Sequence, residues 1–221
     1  MKGLLIKDIR LLGQQKKLLF LYAVMAIVLG YSMDSTFLVS YFPMIGVFLV
    51  LSTISLDNFD NGMAFLMTLP ISGKLYAVEK YVISLLVTAG TWIIAVALQF
   101  VMLMIKKEEF VAAEMLGQDL LFLPVLVFII VLMIPMDLKF GTEKGRMVLF
   151  AVFGIAMILL LGGKAIVEFL SKNAGLDVQG LLGSIKAMPG GAVMAALYGV
   201  TIVLLAVSIG ISIGIMRKKE Y

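Results

Sequence analysis

Apolar residues fall in long, almost unbroken runs along this chain, and polar residues are confined to the short stretches between them. Six runs stand out, at about 18–33, 37–56, 82–105, 120–136, 147–163 and 192–216. Stretches of this length with few or no charges are the signature of helices crossing a hydrocarbon layer about 30 Å thick. The first run is short, roughly 24 Å at 1.5 Å per residue, and the third is long enough to tilt. Pro124 and Pro135 lie near the two ends of the fourth. A soluble helical protein could not bury all six, since some would have to face water. The pattern predicts an all-α integral membrane protein with six transmembrane helices, forming one domain over residues 1–221.

The stretch before the first run has a different pattern. Lys7, Arg10, Gln14 and Lys17 recur at helical spacing on one face, and Leu5, Ile9 and Leu12 on the other, flanked by Leu4 and Leu11. This predicts an amphipathic helix over residues 1–17, lying in the headgroup plane with its apolar side down. Two roles fit it: a basic anchor that fixes topology, or an elbow that turns the chain into the bilayer and touches a cytoplasmic partner. The stretch is too charged for a cleaved leader, and no small-residue cleavage site follows the first run.

Composition agrees with lipid as the solvent: 62% of residues are hydrophobic and 14% charged, against about 25% charged in soluble domains. The basic residues set the orientation. With the N-terminus inside, 13 Lys and Arg fall on the inner side and 5 on the outer (Lys106, Lys107, Lys164, Lys172 and Lys186), accounting for the 18 in the chain. Both termini are then cytoplasmic, with Arg217, Lys218 and Lys219 as the last anchor. The net charge of +4 thus concerns topology, and nucleic acid is not an expected partner.

Several chemistries are excluded. The chain has no Cys and no His, which removes disulfides, thiolate nucleophiles, His-based acid–base chemistry and His or Cys metal sites. It has no phosphate-cradling GxxxxGK[ST] loop. Gly162-Gly163-Lys164 is followed by Ala165, so ATP is not bound here in the usual way. No charged residue falls well inside a run. A buried charge costs about 2.5 to 3.5 kcal/mol on insertion scales, and secondary transporters use such groups for ion coupling. Gln99 is the strongly polar side chain of the third run. The chain therefore reads as a non-enzyme with neither a cofactor nor an energy source of its own.

The stretch between the second and third runs, 57–80, is the longest loop on the inner side. Asp57, Asn58, Asp60 and Asn61 follow the second run and read as helix starters. Residues 63–69 form about two apolar helical turns, and Pro70 stops them by pushing Leu69 toward an extended conformation. Ser72 then caps the next helix, and Lys74, Glu79 and Lys80 lead back toward lipid. A short helix carrying Phe and Met on the cytoplasmic side is expected to meet a protein partner or the headgroups.

These residues resemble an ABC-2-type permease, the membrane subunit of a bacterial ATP-binding-cassette exporter. They are similar to the compact six-span permeases that export phenol-soluble modulins and bacteriocin-like peptides. The resemblance rests on Asp57 and Asp60 after the second run, then Leu69-Pro70-Ile71-Ser72, Lys74, and Glu79-Lys80-Tyr81 at the third. Gly73 departs from the pattern, which has a basic residue directly after the Ser. The resemblance implies the ABC-2 (type V exporter-like) fold in a bacterial plasma membrane. It makes the loop a coupling helix that docks on an ATPase through Phe59, Asp60, Phe65, Leu66, Leu69, Pro70, Ile71, Ser72 and Lys74. It also implies two ATPase subunits holding Mg-ATP, a second permease (identical or not), and export of amphipathic peptides or other hydrophobic cargo. A membrane scaffold that recruits a cytoplasmic protein, or a secondary transporter, are the alternatives.

Three further features have two readings each. The small residues of the sixth run, including Gly199, Gly210 and Gly214, suit close helix packing, within one subunit or against a second permease. The outer segment 164–190 reads as a re-entrant gate, which the resemblance implies, or as an interfacial loop. The 16 Met suit a surface for varied apolar ligands or ordinary lipid-facing filler. The acidic stretch 106–119 reads as a solvated outer cap.

Overall fold

The computed structural model describes residues 1–32, 35–59, 62–141 and 189–219, with positions 144, 147, 150–152, 154, 155 and 157. The described residues form helices and short connections, without strands. In chain order the helices are α1 (Lys2–Gln14), α2 (Lys16–Ser32), α3 (Thr36–Asn58), α4 (Gly62–Thr68), α5 (Gly73–Lys106), α6 (Ala112–Leu120), α7 (Phe122–Phe140) and α8 (Gly190–Lys218). Most of the fifth run, the outer segment 164–188, Asp60 and Asn61 lie outside the described residues.

Four described stretches are long and apolar enough to cross a membrane: α3, α5, Ala112–Phe140 and α8. The pair α1 and α2, bent by 66° at their junction, passes the same test only when the two are counted as one broken span. Gln15 closes α1, and its side-chain nitrogen donates to Ser52 Oγ at 3.3 Å, fixing the turn against α3.

Burial sorts the spans. The most apolar window of α3 is 56% buried, whereas that of α8 is 6% buried, so α3 is the central post and α8 the periphery. Small residues let the backbones close on one another. A Cβ at Gly30 would lie 2.6 Å from Leu38 Cγ, and one at Gly46 2.8 Å from Thr91 Oγ1. These contacts seat α2 on α3 and α3 on α5. By contrast Gly199, Gly210 and Gly214 of α8 have nothing within 4 Å of a built Cβ. The small-residue face of the sixth run is therefore not packed against described residues.

α7 and α8 run parallel. Tyr198 donates to the Leu120 carbonyl at 2.8 Å, Ser208 to that of Val131 at 2.6 Å, and Lys219 to that of Leu138 at 3.0 Å. One proton inventory joins α5 to this pair. Ser208 has given its proton to Val131, so it accepts from Tyr81 at 2.6 Å, and Tyr81 accepts from Ser212 at 2.8 Å.

Two sequence expectations change here. The third span begins at Gly73, nine residues before the apolar run, because Tyr76, Ala77, Tyr81 and Ile83 give its first turns a buried face. The stretch 106–119 is not merely a solvated loop. It holds α6, with Asp119 fully buried, and its carbonyl accepts from Trp92 Nε1 at 3.3 Å.

Candidate functional site

One end of the bundle gathers α1, α4, the start of α5 and the ends of α3, α7 and α8. A single apolar cluster there includes Leu4, Met63, Leu66, Tyr76, Leu138 and Met216. α4 stands on this cluster with two unlike faces. Met63 and Leu66 point inward, at 4% and 8% exposure, while Phe65 is 71% exposed and Leu69 43%. Phe59, in the connection before α4, is 70% exposed. The chain then turns through Pro70. Ser72, in extended backbone, accepts from the Leu75 amide at 3.2 Å and starts α5 as an N-cap.

The expected docking residues are thus divided by the fold. Phe59, Phe65, Leu69, Pro70, Ser72 and Lys74 are exposed, Ile71 is half-buried, and Leu66 is covered by its own subunit. Asp60 lies outside the described residues. Gly73 has a structural reason for its place, since a Cβ there would lie 3.0 Å from the Met216 carbonyl oxygen and 3.2 Å from Met216 Cβ. A basic side chain would wedge α5 away from α8, and Lys74, one position on, carries its charge on the exposed side.

Behind α4 lies a group that sequence reasoning missed. Lys80 is fully buried, and its ammonium reaches Asp8 Oδ2 at 2.5 Å, Asp57 Oδ2 at 2.9 Å and Thr53 Oγ1 at 2.9 Å. All three of its protons are matched. Lys7 pairs with Asp57 Oδ1 and lies 3.0 Å from Asp8 Oδ1. Tyr76 donates to Asp57 Oδ2 at 2.9 Å, with its ring 5.1 Å from the Lys80 ammonium. Two lysines and two aspartates balance. Burial alone would lower the Lys7 pKa, but its hydrogen bond and attraction to Asp57, reinforced by Asp8, raise it above the ordinary lysine value. Lys7 therefore stays charged at physiological pH.

This cluster corrects three sequence expectations. Asp57 does not start the short helix. It ends α3, buried, and α4 begins at Gly62. Lys7 does not share the water face of α1, because its partners are inside, while Ile6 and Ile9 are exposed. Lys80 does not merely lead back to lipid, and a buried charge does exist in a span. It is the eighth residue of a 34-residue helix, roughly 11 Å from its start, and is fully paired there, away from mid-span.

A family model described as ABC-2 family transporter protein matches residues 3–217 of the chain. The chain belongs to that family. It is a membrane permease of an ABC transporter, a transport component that associates with an ABC ATPase, as its sequence resemblance implied. No curated protein and no solved structure matches the chain.

An apolar recess in the permease lies between α5, α7 and α8 toward the α6 end. It has a volume of about 280 Å³ and is lined by Leu85, Thr88, Leu123, Tyr198, Thr201 and Leu205, among others. Its hydroxyls have given their protons to the backbone. Thr88 donates to Ser84 O, Thr201 to Leu197 O and Tyr198 to Leu120 O. The recess is therefore lined almost wholly by hydrocarbon.

Proposed function

We propose that this permease exports amphipathic peptides or similarly hydrophobic cargo, driven through α4 by two cytoplasmic ATPase subunits. It would act as a six-span protein paired with a second permease in a bacterial plasma membrane. The observation that carries the coupling reading is the two-faced α4, which exposes Phe59, Phe65 and Leu69 while its other side is built into the permease core. A helix so anchored passes a push at its outer face into the bundle. The chain has no phosphate loop of its own, so ATP-Mg belongs to the partner.

The six-span layout is supported by α7 and α8, which run parallel. The chain leaves α7 at the α4 end and starts α8 at the α6 end, so the intervening residues connect opposite ends of the bundle. Hydrophobic cargo is supported by the apolar recess.

The test is co-purification. Phe65→Asp or Leu69→Asp should leave the permease inserted but abolish recovery of the ATPase with it. Retained recovery refutes docking through α4 and favours a different contact.

A further inference from the structure

We propose that the Lys7–Asp8–Asp57–Lys80 cluster welds the elbow helix α1 to both roots of the α4 loop, making Asp8 and Lys80 positioning residues for the ATP-driven movement. The inference rests on the coupling reading of α4 and adds what α4 is fastened to.

The geometry carries it. The α4 loop leaves α3 at Asp57–Asn58 and joins α5 at Gly73, with Tyr76 one turn further on. Asp57 sits at the first root, and Tyr76 and Lys80 stand above the second. They are tied across the loop by the Tyr76–Asp57 bond and the Lys80–Asp57 pair, both 2.9 Å. α1, remote in sequence, enters the same knot twice: Lys7 pairs with Asp57 on α3, and Asp8 with Lys80 on α5 at 2.5 Å. Leu4, one turn before Asp8, joins Met63 and Leu66 of α4 in the apolar cluster beneath. Gln15 holds the elbow turn to Ser52 of α3. A displacement of α4 then reaches α1 through this knot and the apolar cluster, and α1 leads through a 66° bend into α2.

Stability alone is a poor reason for such a knot. Replacing a buried ion pair by well-packed apolar residues is often neutral or stabilising. Directional pairs instead fix one register among three helices, which apolar contacts do less well. Lys80 suits this task because its three donors point to three acceptors on two other helices.

The experiment uses the complete permease–ATPase complex in liposomes. The chain has no Cys, so cysteines placed at Gly3 and Thr68, both exposed, carry the spin labels of the permease, with the ATPase stripped of its own thiols. Pulsed electron resonance measures the α1–α4 distance without nucleotide and after trapping with Mg-ATP and vanadate. The Thr68–Glu109 pair reports movement of α4 relative to the opposite end. The expected result is a shift in the Thr68–Glu109 distance on trapping with no change in the Gly3–Thr68 distance. In Lys80→Met the ATPase still co-purifies, but the Gly3–Thr68 distance now shifts on trapping. A Gly3–Thr68 shift in the native protein, or none in Lys80→Met, overturns the weld. A native Thr68–Glu109 distance that stays fixed overturns the coupling reading itself. Should Lys80→Met not insert, Asp8→Asn supplies the same readout, since it removes the α1 charge of the pair to Lys80 and leaves Lys80 bonded to Asp57 and Thr53.

Discussion

Asp57 and Glu79 are both buried carboxylates near the end of the bundle that holds α4, and they have opposite surroundings. Asp57 receives Lys7, Lys80 and Tyr76. Glu79 is fully buried, and neither of its oxygens has a hydrogen-bond partner. Removing one member of a buried ion pair leaves the other charge uncompensated, at a cost of about 3–5 kcal/mol. Asp57→Asn should therefore lower the thermal midpoint of the purified permease steeply, while Glu79→Gln, which breaks no hydrogen bond, should lower it far less. Equal effects of the two changes would mean the cluster contributes nothing beyond its charge. Gly73 allows a second comparison. Its Cβ position meets backbone on α8, and overpacking of this kind typically costs about 1–3 kcal/mol. Gly73→Ala should destabilise the permease in the same melt, and Gly90→Ala, where a Cβ meets nothing within 4 Å, should not.

Helices were more legible in the sequence than their contacts. Apolar run length located α2, α3, α7 and α8 to within a few residues, because a lipid-facing helix must be apolar wherever it is exposed. α5 was placed nine residues late for the same reason. Its first turns are covered by other helices and can carry Tyr76, Glu79 and Lys80, so hydropathy ends before the helix does. The polar knot did leave a trace. Thr53 and Asp57 are four apart on α3, and Tyr76, Lys80, Ser84 and Thr88 are spaced by four along α5, all buried. Asp8 follows Leu4 by the same step. Polar residues at helical spacing mark a stripe turned toward other helices, but only the fold could say that three stripes meet. The Tyr81–Ser208–Ser212 contact between α5 and α8 is of this kind. Interhelical hydrogen bonds within membranes average about 0.6 kcal/mol and reach about 1.7. Tyr81→Phe should cost about 1 kcal/mol in a denaturation assay, and Ser212→Ala added to it should cost little more, since both remove the same bond. Additive losses would mean that the two side chains act separately.

The described part of the molecule is polarised. Lys2, Lys7, Arg10, Lys16, Lys17, Lys74, Lys80, Lys139, Arg217, Lys218 and Lys219 belong to the α4 end, and Lys106 and Lys107 to the α6 end, with Glu108, Glu109 and Glu114. Among the described residues this bias matches the linear count, with Lys7 half-buried and Lys80 fully buried inside the protein. Basic residues flanking spans stay on the cytoplasmic side, so the α4 end should be inside, where an ATPase can reach Phe65. Because the chain has no Cys, single cysteines report this directly. Thr68→Cys and Glu109→Cys stand at opposite ends of the bundle, both exposed. A membrane-impermeant maleimide added to intact cells should label Glu109→Cys and spare Thr68→Cys until the membrane is opened. The reverse pattern would put α4 outside, and docking of α4 on a cytoplasmic ATPase would be ruled out however well its exposed face suits a partner. Neutralising Lys16 and Lys17 together, at the start of α2, should weaken the bias and yield a mixed labelling pattern. Neutralising Lys106 and Lys107 should sharpen it, because positive charge at the α6 end opposes the predicted orientation.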